Sequence, residues 1–588
     1  MNAAVETVAD ASAPDADRAP RPFRHRFLAW AWGLLRLDVT GVAFAALFFC
    51  LSRTPSLLPR DWLYQGLIGG VNAAIGYGIG VVVGKLFRRV VFEGRSWWPP
   101  SARALNRAKA VTVAVSLSAS VLMVLPAAKW QREVAALMGI EGPSTLKYLR
   151  ALVIALVVGG ALVAAARLLI DAVKALARFL IRRWGVNDEV ATFIGTAIVV
   201  VLIVTLVNGV LIRGFVAGAS LIFQPQNSST RPGVSQPAQP EKSGSPDSYA
   251  PWDTLGYQGR DFVATGPSAA DLQAINGRPA KEPIRIYVGL QTADTAEERI
   301  SVLRSELDRT RAFDRRLMVI VPTTGTGWVD PVAANSIEMM YNGDTALVAI
   351  QYSYLPSWIS FLADQQNALT AGKELIDAVH ERWSHQPSDR RPKLALYGES
   401  LGSMAGQGAF GYLPDISQMN FSSVLWVGPP HASPLWWALT ERRDPGTPEV
   451  QPRYDNGRTV RFSQGDDVAM VAAPPWQGTR VLFLQHASDP VVWWSPDLLF
   501  DRPDWLKGPP GRGRTPLMHW YPIVTFWLVG ADMTNAASAP AGHGHNYNDS
   551  ILDGWVAVAP PDGWTTADTE RIRRALENTP GTSGTSEK

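Results

Sequence analysis

The chain has 588 residues, of which 47% are hydrophobic and 18% charged, and a formal net charge of +3. That length predicts two or three structural units, and the small net charge implies no strong polyelectrolyte partner; nothing reads as a nucleic-acid-binding module. A single cysteine, Cys50, excludes an intrachain disulfide and a multi-cysteine metal site, while the excess of apolar over charged residues predicts a membrane portion.

Residues 1–36 begin rich in Ala, Pro and Asp and gather Arg18, Arg21, Arg24 and Arg26. This composition predicts a disordered tail. The long apolar segments that follow argue against a cleaved leader.

Residues 37–223 predict a helical transmembrane domain. About five stretches are long enough to cross a bilayer, near 38–54, 64–84, 110–128, 150–170 and 193–213. The second carries Gly66, Gly69, Gly70, Gly76, Gly78, Gly80 and Gly84, small residues that let helices approach closely in lipid. The loop after it is strongly basic (Lys85, Arg88, Arg89, Arg95, Arg103, Arg107, Lys109), as is the one after the fourth (Lys174, Arg178, Arg182, Arg183). By the positive-inside rule the N-terminal tail is cytoplasmic. Five crossings then place everything after about residue 223 outside. The expectation is a multi-pass protein of the inner or plasma membrane with an extracytoplasmic C-terminal part.

Residues 224–258 are rich in Pro, Ser and Gln and predict a flexible linker. From 259 to 577 strand and helix patterns alternate. Strand candidates are Ile284–Val288, Arg316–Val321, Ala346–Tyr352, Leu394–Tyr397, Ser423–Val427 and Arg480–Gln485; helix candidates are Thr295–Arg311, Asn367–Trp383, Met404–Phe410 and Asp549–Val556. Such alternation predicts a mostly parallel sheet covered on both faces, with its site at the carboxyl ends of the strands. Residues 578–588, rich in Gly, Thr and Ser, predict a disordered tail.

The most informative run is Lys393 to Ser403, an apolar strand that ends in Gly398-Glu399-Ser400-Leu401-Gly402 and continues into a helix-forming stretch. G-x-S-x-G between strand and helix presents a serine hydroxyl on a strained turn above a sheet, with helix N–H groups nearby for an oxyanion. A nucleophilic Ser400 needs a base, and the base an orienting acid, in the chain order Ser, acid, His. Of eight histidines, His543 and His545 lie in a late glycine-flanked loop, Ala541-Gly542-His543-Gly544-His545-Asn546-Tyr547. His545 is slightly favoured because it is nearer the following helix. Asp489, in the turn after an apolar strand and before Pro490, is the candidate acid, with Asp466 and Asp467 as fallback. Leu401, and Gly325 or Thr326 in the loop Thr323-Thr324-Gly325-Thr326-Gly327-Trp328, are candidate oxyanion donors. The His-Gly-His pair lacks a carboxylate pair at fixed spacing, so no metal and no cofactor is expected.

These residues resemble the α/β-hydrolase superfamily. More narrowly, the chain is similar to a bacterial family of membrane-anchored α/β-hydrolase-fold proteins with several N-terminal spans. The resemblance rests on Thr324-Gly325-Thr326-Gly327-Trp328, Gln351-Tyr352-Ser353-Tyr354-Leu355-Pro356-Ser357-Trp358, Gly398-Glu399-Ser400-Leu401-Gly402, Ser488-Asp489-Pro490-Val491-Val492-Trp493-Trp494 and Gly542-His543-Gly544-His545. It implies Ser400 as nucleophile, Asp489 as acid and a histidine of the last loop as base. The oxyanion loop departs from the His-Gly pattern common in the superfamily. The fold expected is therefore a helical transmembrane bundle followed by an α/β-hydrolase fold. The activity expected is that of a serine esterase or lipase working through an acyl-enzyme on a small-molecule or lipid ester at a bilayer. An acyltransferase using the same residues, and a non-catalytic hydrolase-like binding or assembly module, are the alternatives.

Overall fold

The computed structural model describes residues 37–92, 101–185, 187–204, 225–472 and 475–579. The expected tail 1–36, the end of the fifth apolar stretch and nearly all of the C-terminal tail lie outside the described residues.

The N-terminal region is helical: α1 (Val39–Leu51), α2 (Trp62–Phe87), α3 (Ala102–Leu122), α4 (Val124–Leu137), α5 (Thr145–Trp184) and α6 (Asp188–Val204). Among the described residues three helical segments, Trp62–Val91, Arg103–Leu137 and Thr145–Trp184, are long and apolar enough to cross a membrane. At 13 residues α1 is shorter than a bilayer needs. The glycines of α2 divide between two neighbours. A Cβ at Gly66 or Gly70 would strike Ile154 or Val158 of α5, and one at Gly76, Gly80 or Gly84 would strike Phe44, Phe48 or Thr40 of α1. Spaced four apart, these glycines form two flat stripes that let backbones approach.

The C-terminal region holds a seven-stranded sheet in the order β1-β3-β2-β4-β5-β7-β6. The strands are β1 (Ile284–Val288), β2 (Leu317–Pro322), β3 (Thr345–Ile350), β4 (Lys393–Glu399), β5 (Phe421–Val427), β6 (Val460–Ser463) and β7 (Arg480–Leu484), and every pairing is parallel. Their side chains feed two cores by simple alternation. Met318 and Ile320 join the cluster on one face, Leu317, Val319 and Val321 that on the other. Both faces are buried, as parallel strands require. The strand candidates read from the sequence lie within one or two residues of the observed strands. Four-residue β6 was not foreseen, nor was the helix Pro331–Met340 that follows β2.

The expected flexible linker 224–258 is corrected by the structure. Residues 241–243 run along the sheet edge, where β1 needs cover. Ser243 N–H donates to Arg285 O (3.0 Å) and Arg285 N–H to Glu241 O (3.2 Å). The buried Glu306 carboxylate accepts from Ser243 Oγ (2.7 Å), Ser248 Oγ (3.0 Å) and Tyr249 N–H (2.8 Å). Ser243 is a buried hydrogen-bond donor and Ser248 a half-buried one, so composition alone misread this part of the segment.

Candidate active site

Strand β4 sits at the centre of the sheet and ends at Glu399, and the helix Leu401–Gln407 begins two residues later. Ser400 occupies the corner with φ 53° and ψ −125°, a backbone conformation that L-residues adopt only where the surroundings impose it. The surroundings are visible. Ser400 N–H donates to Val427 O at the end of β5 (2.8 Å). A Cβ on Gly398 would lie 2.7 Å from Gly402 O, and one on Gly402 would lie 2.4 Å from Pro322 O. The two glycines flanking Ser400 are thus required by close approach, as the motif implies.

Asp489 follows β7, caps the short helix Pro490–Trp493 and is fully buried. One carboxylate oxygen accepts from Val491 N–H (2.8 Å). The other lies 2.6 Å from His545 Nδ1 and accepts from Tyr547 OH (2.7 Å). A carboxylate can only accept, so Nδ1 carries the imidazole proton, a tautomer assigned from the bonding network. Nε2 is then a lone-pair acceptor; it is buried and makes no hydrogen bond. The ring lies directly over Gly428, where a Cβ would sit 2.5 Å from His545 Cε1. Gly428 is the residue after Val427, the partner of Ser400 N–H. The structure therefore brings His545, Asp489 and the Ser400 corner to one place at the carboxyl ends of β4, β5 and β7.

His543 is placed elsewhere. It faces the loop of Arg512 and Gly513, where a Cβ on Gly513 would lie 2.5 Å from its Nδ1, and burial pushes its pKa down. Asp467 accepts from Ser463 and Gln464 N–H, and Asp466 faces Arg512 at 3.5 Å, so neither fallback acid meets His545. Gly325 N–H already donates to Ser357 Oγ (3.3 Å). The part of that loop lying against Gly402 is Pro322 and Thr323, two residues earlier than the expected donors. Leu401, at the first position of its helix, is buried in an apolar cluster with Phe361, Met404 and Ala405, to which Trp494 and Met533 add.

Tyr547 was missed by sequence reasoning, although its position two residues after His545 could have signalled it. Its hydroxyl binds the same Asp489 oxygen as the imidazole and accepts from His486 N–H (3.0 Å). His486 stacks on the Tyr547 ring at 4.0 Å and donates from Nδ1 to Gly544 O (2.9 Å). Burial holds its pKa down at about 4, so it stays neutral. Among the described residues no group of three or more His, Cys, Asp or Glu could hold a metal ion.

A parallel sheet with a serine at a strained strand-to-helix corner, beside a carboxylate-held imidazole, defines an α/β-hydrolase architecture. Residues 284–572 match the model of an alpha/beta-hydrolase family, and residues 54–267 match the model of the N-terminus of an alpha/beta-hydrolase family. Between them the two span most of the chain, which belongs to an alpha/beta-hydrolase family. The N-terminal match runs through the segment expected as a linker. No curated protein and no solved structure matches the chain.

Proposed function

We propose that the protein is a membrane-anchored serine hydrolase acting on an ester, lipidic or linked to the cell envelope, through an acyl-enzyme. The observation that carries this reading is the buried His545–Asp489 pair at 2.6 Å, with Nε2 unpaired beside the strand end that holds the Ser400 backbone. In this reading Ser400 Oγ attacks the ester carbonyl while Nε2 of His545 takes its proton. Asp489 stabilises the imidazolium that forms, and the alcohol leaves with the proton returned from Nε2. Water, activated by the same nitrogen, then releases the acid. The N–H groups of Leu401 and Thr323 hold the oxyanion. The apolar cluster of Phe361, Met404, Trp494 and Met533 beside Leu401 takes the acyl chain.

The helices long enough to cross a bilayer support a multi-pass anchor, with the hydrolase region on the extracytoplasmic side by the charge of the loops. A fluorophosphonate probe should label the purified wild type and fail on Ser400→Ala; a folded wild type that stays unlabelled overturns the reading. Protease accessibility in right-side-out vesicles tests the orientation.

A further inference from the structure

Between α1 and α2 the chain forms a loop, residues 52–60, whose residues are all buried except the half-buried Pro59. A loop away from water must find partners for its backbone polar groups. This one finds them in the other half of the chain. Asp532 ends the helix Val524–Asp532, which packs against α2, and is fully buried. Its carboxylate accepts from Leu57 N–H (3.0 Å), Leu58 N–H (3.3 Å) and the Ser56 hydroxyl, and faces Arg60 Nε at 3.1 Å. Loop and aspartate are 475 positions apart in the chain.

This clamp sets the position of two leucines. Leu57 and Leu58 are buried in the same cluster as Val134, Met138 and Ala536. Leu58 also reaches the loop that carries the imidazole. A Cβ on Gly544 would lie 2.7 Å from Ala536 O, 2.7 Å from Ala539 Cβ and 3.3 Å from Leu58 Cδ2. His545 N–H donates to Ala536 O (2.9 Å). From above, the loop is tied by Gly544 N–H to Ser488 Oγ (3.0 Å) and by Gly544 O to His486 (2.9 Å). On its other side, the floor, the atoms nearest Gly544 belong to Ala536, Ala539 and Leu58, and of these three Leu58 comes from the N-terminal region.

We propose that Leu58, held by the Asp532–Arg60 clamp, is a positioning residue for His545, so that the N-terminal helices are a working part of the site and not an anchor alone. The proposal rests on the reading of Ser400, His545 and Asp489 given above. Asp489 fixes the ring at Nδ1, while the floor fixes the height of the backbone that bears the ring. Without Leu58 the loop can settle toward the gap, and Nε2 leaves its line to the serine.

The test uses the full chain in detergent micelles, comparing wild type with Leu58→Ala, Leu58→Val and Leu58→Met. Two quantities are read: the rate of fluorophosphonate labelling at several probe concentrations, and amide hydrogen exchange over residues 540–547. Labelling of Leu58→Ala should be slower by on the order of 10–100-fold, the penalty for a misplaced reacting group. The loss should fall in the limiting rate and not in the probe affinity. Leu58→Val should lie between, and Leu58→Met, which keeps the volume, should recover to within about threefold. Exchange at His545 N–H should quicken in Leu58→Ala. Should Leu58→Ala not fold, Leu58→Val decides. A folded truncation that labels within about twofold of wild type overturns the proposal and leaves the hydrolase reading intact. A wild type that does not label overturns the hydrolase reading; exchange then decides alone, and unchanged protection of residues 544–546 overturns the floor role.

Discussion

The two regions of the molecule hide opposite residues. In the sheet region Leu396, Trp426 and Phe483 are fully buried, as in any protein folded in water. In the helical region Leu146, Leu156 and Phe193 are 76%, 73% and 74% exposed, while Arg53, Gln65, Asn72 and Gln131 are buried with no exposure. The Arg53 guanidinium lies over the Phe49 ring at 4.4 Å, away from any surface. The same rule acts on both regions, since groups are sorted by what surrounds them. An apolar exterior over a polar interior suits lipid and would associate in water. This contrast supports the bilayer placement proposed for the helices.

The contrast can be broken in five ways. The largest effect is expected where chemistry is confined to one region. Ser400→Ala should lower esterase turnover by about 10⁴–10⁶-fold, and His545→Ala similarly, with unfolding of either region unaltered. His543→Ala should change turnover less than about tenfold, because His543 faces Gly513 and not Asp489. Comparable losses at both histidines would remove the assignment.

Next comes the join between the regions. Arg60→Ala leaves the Asp532 carboxylate buried without its cation and should cost about 3–5 kcal/mol, read as a lower denaturation midpoint of the full chain. A change below about 1 kcal/mol would mean that the regions do not stabilise one another through this contact.

The two exteriors are compared by a charge. Leu156→Lys should cost about 3 kcal/mol in membrane insertion if that face meets lipid, read as a loss from the membrane fraction. If the face meets water the change should be near zero.

His486 sharpens the water-soluble half. Burial holds its pKa at about 4, below the usual 6.5, so between these values the unfolded chain binds a proton that the folded protein does not. Stability should therefore fall as pH falls through this window, by up to about 3 kcal/mol. His486→Gln should flatten that slope, whatever its effect at pH 7; an unchanged slope would place the titration elsewhere.

The smallest effect is expected at Tyr547. Tyr547→Phe removes one of three hydrogen bonds to Asp489 and should cost about 1 kcal/mol of transition-state stabilisation, near fivefold in kcat with KM unchanged.

Much of this was legible in the chain because it is encoded locally. Short apolar runs announced β1 to β5 and β7, and their alternation with helices announced a parallel sheet. The elbow was legible because Gly398 and Gly402 are dictated by a turn five residues long. The choice of His545 over His543 rested on two positions of chain and needed the 2.6 Å contact with Asp489 to be made. The linker failed because Pro and Ser describe a solvated segment equally well as one that caps a sheet edge. β6 failed because Val460–Ser463 holds only two apolar residues in four, too few for an apolar run to show.

The sequence by itself determined the apolar helices, the parallel sheet and the strained serine, because helix length, apolar strand runs and turn chemistry depend on neighbours a few residues away. Only the tertiary structure decided which imidazole meets the acid, where the loop after β2 touches the elbow, and that Asp532 binds the loop of Leu57, Leu58 and Arg60. Such contacts join residues tens to hundreds of positions apart, and their partners are selected by packing, which no local pattern records.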